Sequence, residues 1–150
     1  NVNMRGCILE WVRGIDKTER LDGIDLSNLE QGWDVLRGKS LTGKSLKGAN
    51  LHGLDLSGCD FTGADLSNVY MSGCILERGK GVDQAKRLDG IDLSHLEGGR
   101  SILRGKSLTG KSLKGAKLGH LDLSGCDFTG ADLSNVNMSG CRMEGVRGLT

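Results

Sequence analysis

The sequence predicts an all-β fold of the solenoid type, a chain wound into stacked coils of short extended segments, and three observations predict it. First, large apolar residues recur every five positions, at Leu41, Leu46, Leu51, Leu56, Phe61, Leu66, Met71 and Leu76, and again at Leu108, Leu113, Leu118, Leu123, Phe128, Leu133, Met138 and Met143. Second, each central residue is flanked in a fixed way. Two positions before it stands a small or apolar residue (Ala49, Leu54, Cys59, Ala64, Val69, Cys74), and two positions after it a glycine or asparagine (Gly48, Gly53, Gly58, Gly63, Asn68, Gly73). Third, the chain is duplicated: residues 20–76 return as 87–143, displaced by 67 positions with 11 differences in 57.

A period of five excludes both regular elements. On an α-helix five residues turn the chain by ~500°, which sets successive apolar centres about 140° apart, so no common face forms. On a flat strand an odd step sends successive centres to opposite sides. The pattern becomes coherent if the chain bends once per five residues. The two inward positions then lie two apart on a short extended segment, and the corner falls where glycine or asparagine tolerates positive φ. Segments bent in one sense close a coil, and stacked coils pair like parallel strands.

The unit resembles that of the pentapeptide-repeat family, often written Ala-(Asp/Asn)-Leu-x-x. ANLHG at Ala49, CDFTG at Cys59, ADLSN at Ala64, CDFTG at Cys126 and ADLSN at Ala131 carry the resemblance, which is strong over 47–76 and 114–143. It implies a right-handed quadrilateral β-helix with four pentads per coil. A leucine-rich repeat competes for 51–59, LHGLDLSGC, but such repeats recur every 20 to 29 residues, whereas this stretch returns only after 67.

The expected organisation is one solenoid over 1–150, with copies at 20–86 and 87–150 and a partial copy at 1–19, since NVNMRG at Asn1 matches NVNMSG at Asn135. Elsewhere the phase loosens. In RLDGIDLSNLEQGWDVLRGKS it passes through Leu21, Leu26, Leu36 and Leu41, with Gln31 in a central place and Asp34 in the small inner place. Between Leu9 and Leu21, and between Leu76 and Leu88, centres lie 12 apart. The spacers EWVRGIDKTER and ERGKGVDQAKR are expected to be loops or bulged corners, a short helical turn being the alternative.

Composition narrows the function. With 25 Gly, no Pro and five aromatic residues, the core is aliphatic; a formal charge of +1 announces no nucleic-acid footprint, and no nucleic-acid partner is expected. No apolar run reaches the ~20 residues of a membrane span. The five cysteines, Cys7, Cys59, Cys74, Cys126 and Cys141, are an odd number without a Cys-x-x-Cys pair, and all fall at the small inward place. They read as buried, reduced thiols. The compartment stays unknown; reduced cysteines and the lack of a visible signal sequence favour the cytoplasm.

GKSLTGKS at Gly38, repeated at Gly105, has the letters of a phosphate-binding loop. A glycine at every corner generates Gly-x-x-x-x-Gly automatically, and more pentads follow where that loop requires a helix. Its lysines, Lys39, Lys44, Lys106 and Lys111, occupy inner places, where an unpaired ammonium is costly. They must snorkel past a corner or sit in a locally distorted coil and face solvent, and distortion is the expectation. His52, His95 and His120 cluster with no carboxylate at useful spacing. Asp55, Asp60, Asp65, Asp122, Asp127 and Asp132 precede central residues and point outward as solvated ladders. Trp11 and Trp33 correspond, at the 67-residue offset, to Arg78 and Arg100, which marks them as exposed contact candidates.

No catalytic, cofactor-binding or metal-binding residue follows from these patterns, and no enzyme and no cofactor are expected. The leading expectation is a structural scaffold or protein-interaction solenoid that binds a protein partner or itself through exposed ends, as a filament or as an excerpt of a longer array. Two alternatives stand beside it. One, implied by the family resemblance, is a DNA-mimic that binds type II topoisomerases, and the other is nucleotide binding through GKSLTGKS. The expected core is Leu41, Leu46, Leu51, Leu56, Phe61, Leu66, Met71, Leu108, Leu113, Leu118, Leu123, Phe128, Leu133 and Met138, with Cys59, Cys74, Cys126 and Cys141.

Overall fold

The structure, a computed structural model, describes residues 2–3, 14–27 and 32–149. The chain turns once per pentad. The carbonyl of each central residue accepts the N–H three positions on, as in Ala49 to Leu46 at 2.8 Å and Cys59 to Leu56 at 3.1 Å. The third residue of each such turn has positive φ, +73° at both Gly48 and Gly58. That places glycine where a type II turn needs it. Asn68 and Asn135 take the same place with φ of 57° and 59°, as the tolerance of asparagine for the left-handed region allows.

Between corners the backbone pairs with the coils before and after it in parallel register. Leu51 donates forward to Tyr70 at 2.9 Å and Tyr70 donates back to Ala49 at 2.9 Å. The only continuous strands among the described residues are β1 (Val2–Asn3) and β2 (Ile24–Asp25), paired Val2 to Ile24 and Asn3 to Asp25. Elsewhere each side of the coil contributes a single bridging residue, too short to count as a strand.

One ladder runs the length of the molecule through Asn3, Asp25, Asn50, Tyr70, Asp92, Lys117 and Asn137. Its steps are 22, 25, 20, 22, 25 and 20 residues, so the 67-residue duplication is three successive coils, of which only one has four bare pentads. The surplus of the 22-residue coil lies between Lys80, paired at a step of 20 with Asp60, and Arg87, paired at 22 with Asp65. The spacer therefore bulges without interrupting the stack, and it stays anchored because Val82 and Ala85 are buried. In the partial copy the same region contains a 3-10 turn, η1 (Ile15–Lys17), with Ile15 buried. The counterpart in the copy 20–86 closes Ala85 to Val82 at 3.2 Å.

The 25-residue coil departs from the pentad phase. Within it Leu96 and Leu103 are successive buried residues, seven apart, with Gly98 bridging Ile75 between them. Asp34 is exposed rather than inward, a correction of the phase drawn through it: the surplus segment turns on the surface, and burial resumes at Leu36. Gln31 lies outside the described residues.

A single apolar column fills the coils, from Ile15 to Phe128. Leu41, Leu46, Leu51, Leu56, Phe61, Leu66, Met71, Leu108, Leu113, Leu118, Leu123 and Phe128 are all buried, as are Cys59, Cys74 and Cys126. Leu133, Met138 and Cys141 are only partly buried. They belong to the last described coil, and among the described residues no coil lies over them.

Candidate interaction surface

Each residue type with chemistry to offer is held by the solenoid itself. Each of the four described cysteines is unpaired and points inward, donating its S–H to a carbonyl 23 residues earlier: Cys59 to Leu36 at 3.0 Å, Cys74 to Leu51 at 2.9 Å, Cys126 to Leu103 at 2.9 Å and Cys141 to Leu118 at 3.0 Å. Burial pushes the Cys59 thiol up to about 11 and that of Cys74 up to about 12, so neither is a thiolate at neutral pH. Cys7 and Trp11 lie outside the described residues.

The aspartates differ from plain solvated ladders. In each pentad the carboxylate folds back on the residue two positions on. Asp60 Oδ1 accepts the Thr62 N–H at 3.0 Å and its hydroxyl at 2.7 Å, and Asp65, Asp127 and Asp132 repeat the arrangement with Ser67, Thr129 and Ser134. The Thr62 hydroxyl and N–H, joined by Lys80, hold Asp60 below the usual carboxylate value. Asp55 departs furthest from expectation, being only 5 % exposed. Burial raises its carboxyl, but hydrogen bonds from Ser57 and the charge of Arg37 outweigh that and leave it lowered.

A second feature escaped sequence reasoning: the aspartates meet cations one coil away. Arg37 approaches Asp55 at 3.8 Å, Lys80 Asp60 at 3.9 Å, Arg87 Asp65 at 4.0 Å, Arg104 Asp122 at 3.7 Å and Arg147 Asp127 at 3.5 Å. Apart from Arg37–Asp55, whose carboxylate is buried, such surface pairs are worth at most ~1 kcal/mol each. Their effect here is to neutralise the acidic ladders. The signal was available as charges of opposite sign 18 to 22 positions apart, but only a known coil length gives that spacing meaning.

The two copies of GKSLTGKS fall on corners and ladder positions, and pentads follow them. Lys44 is buried, 7 % exposed, and its Nζ donates to the Thr18 carbonyl at 2.7 Å, while Lys111 donates to Ala85 at 3.1 Å. The expectation that these inner lysines face solvent through distortion is therefore corrected for this pair: each reaches across to satisfy a carbonyl of the bulged spacer, a use for its ammonium that needs no ligand. Lys39 is partly exposed and Lys106 exposed. The shallow groove beside Lys44 is lined by Arg20, Lys44, Lys47, Lys86 and Arg87 against Glu19, Asp22 and Asp65, so it carries a modest excess of cations, but among the described residues no α-helix end faces it.

His52 stacks on Tyr70, with ring centroids 5.6 Å apart, and His95 lies 5.5 Å from His120. All three histidines are exposed, and among the described residues no group of three or more His, Cys, Asp or Glu could hold a metal ion. Trp33 is 48 % exposed and Tyr70 40 %. No described helix is long and apolar enough to cross a membrane.

What remains available is the last coil. Leu133, Val136, Met138, Met143 and Val146 form a partly buried apolar row, and Leu149 beside it is 50 % exposed. Among the described residues no carbonyl accepts the N–H of Leu133, Asn135 or Met138. The equivalents Leu66, Asn68 and Met71 donate to Arg87, Asp89 and Asp92 at 3.0, 2.8 and 2.9 Å.

Parallel single-residue bridges, a turn at each pentad and one column of central residues define a β-solenoid of pentapeptide repeats. The sequence model for pentapeptide repeats matches residues 36–78 and 107–145 in eight copies, more than half of the 150 residues, and the chain belongs to that family, whose fold is the right-handed quadrilateral β-helix. Among solved structures it is similar to a pentapeptide repeat protein, Rfr23, from the cyanobacterium Cyanothece 51142, at 18% identity over 86% of this chain and 87% of the other, with a TM-score of 0.31. It is also similar to HetL from Nostoc sp. strain PCC 7120, a pentapeptide repeat protein involved in heterocyst differentiation regulation, at 18% identity over 98% and 95%, TM-score 0.29. QnrB1, a plasmid-mediated fluoroquinolone resistance protein, is similar at 14% identity over 86% and 69%, TM-score 0.36. No curated protein sequence matches.

Proposed function

We propose that the protein is a non-catalytic scaffold whose working surface is the end of the solenoid, and that the polypeptide associates with itself end to end. The observation that carries this reading is the last described coil, where, among the described residues, an apolar row is only partly covered and a set of N–H groups meets no carbonyl in the geometry that the preceding coils use for pairing. Open ladder edges recruit further strands. The absence of a chemical role is inferred from how the reactive groups are engaged: thiols buried, carboxylates folded onto Ser and Thr, Lys44 and Lys111 bonded to carbonyls.

The topoisomerase-binding alternative requires an unneutralised anionic surface, and nothing here favours it, because the aspartate ladders carry their own cations and the formal charge is +1. Nucleotide binding lacks the helix that would face a phosphate. Sedimentation velocity over a hundredfold range of concentration tests the proposed function. Species that grow with concentration, seen as lengthening rods in negative stain, are expected. A monomer that persists throughout removes the reading.

A further inference from the structure

The differences between the two copies lie on one side of the coil. Residues 36–49 and 54–69 return unchanged as 103–116 and 121–136. The ladders through Ser40 and Asp60 and through Ser45 and Asp65 are therefore repeated letter for letter in those through Ser107 and Asp127 and through Ser112 and Asp132. All 11 differences in the 57 compared positions fall on the other two sides of the coil and the corner between them. Lys117 and Asn137 stand on one of those ladders, Gly98 and Arg142 on the one that also carries Asp55 and Asp122. Arg100 joins the second by accepting the Asp122 N–H at 2.9 Å, and Ser101 and Ile102 follow it. His95, Gly119 and His120 occupy the corner, and Met143 is the inward neighbour of Arg142. Asn28, the counterpart of His95, lies outside the described residues.

These differences change what that side offers. From copy 20–86 to copy 87–150, Asp34 gives way to Ser101, while Trp33, Asn50 and Ile75 become Arg100, Lys117 and Arg142, so the 11 positions go from a charge of −1 to +3 with histidine neutral. Arg100, Lys117, His120 and Arg142 are all exposed. A shallow pocket is lined by Arg100, Ser101, His120, Asp122, Gly140 and Arg142, four of which are differing positions. Lys117 lies in the adjoining groove, which shares His120 with the pocket and reaches Tyr70.

The cations of the pocket are held without being used up. Its one carboxylate, Asp122, already accepts the Ser124 N–H at 2.9 Å and faces Arg104 at 3.7 Å. Arg100 Nε donates to the Leu96 carbonyl at 3.1 Å, which fixes the guanidinium plane, and Arg142 meets only the exposed Glu144, at 3.8 Å. His120 takes φ of +68° where the other copy has Gly53 at +77°, a conformation that glycine adopts more readily. Trp33 and Tyr70, the exposed large aromatic residues among those described, belong to the same side. Aromatic residues and arginine are the types that protein interfaces concentrate.

We propose that this side of the solenoid is a docking surface for a protein partner, and that Arg100, Lys117 and Arg142 receive the carboxylates of an acidic segment of that partner. A guanidinium fork matches a carboxylate with two parallel bonds. A nucleic-acid backbone, charged at every step, would meet the carboxylates of Asp92, Asp122 and Glu144 that stand among the cations; spaced carboxylates on a peptide do not have to. Lateral docking involves no contact between ends, so it stands apart from end-to-end association.

Fluorescence anisotropy of a fluorescein-labelled deca-glutamate peptide, read at chain concentrations where sedimentation shows no growth, tests the surface. Arg100→Trp, His120→Gly and Arg142→Ile together give the pocket the residues that the other copy carries at equivalent places, so the coil accommodates them. The expected result is saturable binding that this triple variant weakens at least tenfold with its urea midpoint kept. Lys47→Ser with Lys114→Ser removes the same two positive charges from the unchanged sides and should alter affinity less than twofold. Arg142→Gln alone, which leaves the bond from Arg100 to Leu96 in place, should weaken binding several-fold. No binding, no effect of Arg142→Gln, or equal losses in the triple and the lysine variants overturn the site. A deca-thymidylate that binds as tightly as the peptide and is lost in the triple variant overturns the choice of partner. A chain that binds the peptide and never lengthens leaves this inference standing while the end-to-end reading falls.

Discussion

Replacing Gly48 and Gly99 by alanine separates two costs that the coil geometry imposes. At Gly48 the backbone has φ of +73° and nothing lies within 4 Å of an added Cβ, so Gly48→Ala meets only the left-handed conformation, ~1–2 kcal/mol for an L-residue. At Gly99 φ is +84°, and the Cβ would fall 2.5 Å from the Leu76 carbonyl carbon and 2.8 Å from the Glu77 nitrogen. Those are backbone atoms of the adjoining coil and cannot swing aside, which adds the ~1–3 kcal/mol typical of overpacking. Urea unfolding followed by far-UV circular dichroism, compared at a common slope, should therefore rank wild type above Gly48→Ala and Gly48→Ala above Gly99→Ala. Gly48→Asn should lose less than Gly48→Ala, because asparagine holds the same corner at Asn68 and Asn135. A rise in stability for Gly48→Ala, the ~0.4–1 kcal/mol seen where the native φ suits alanine, would refute the corner, and with it the coil.

Thiol labelling and acid unfolding check the interior and the ladders. Cys59 and Cys74, raised by burial to about 11 and about 12, should resist alkylation at pH 8 until urea opens the coil; modification of the native chain at the rate of a free thiol contradicts their placement. The carboxyls of Asp60 and Asp65 lie below their ordinary value of 3.8 in the folded chain. The Thr62 hydroxyl is foremost for Asp60, while for Asp65 the Ser67 hydrogen bonds and Arg87 outweigh burial. A lowered folded value means stability that is complete above 3.8 and is lost as pH falls through the folded value. Thermal midpoints should accordingly stay level near neutrality and drop in acid, with Asp60→Asn less sensitive, and a loss centred near neutral pH would contradict this.

The corners and the core were legible because each follows from one pentad alone. Leu56 must be inward if Gly58 bends the chain, and both facts lie within three letters. What could not be read depends on coil length. That Lys44 reaches Thr18, 26 positions earlier, or that Arg87 meets Asp65, requires the 25- and 22-residue steps, and a strict pentad count of 20 misplaces both. Asp34 was misassigned for the same reason: a surplus of five residues is invisible to a period of five, since the phase resumes unchanged at Leu36 after the excursion. The surplus of two was visible as a 12-residue gap, yet whether it broke the stack depended on Val82 and Ala85 finding room inside, which is a matter of packing.

These irregular coils make the 67-residue duplication, rather than the pentad, the structural repeat of the chain. In a uniform stack of 20-residue coils any coil could follow any other, and an open end would accept partners in many registers. Here coils of 22, 25 and 20 residues succeed one another in fixed order, and each bulge needs its own answer, as the spacer carbonyls of Thr18 and Ala85 need Lys44 and Lys111. Exchanging two coils within the chain would set a 20-residue coil where a bulged one is matched and leave such a lysine without its carbonyl, an unmet buried ammonium costing several kcal/mol. Only the order found in the chain avoids that loss, so the same insertions that blur the repeat in the sequence fix the succession of its coils.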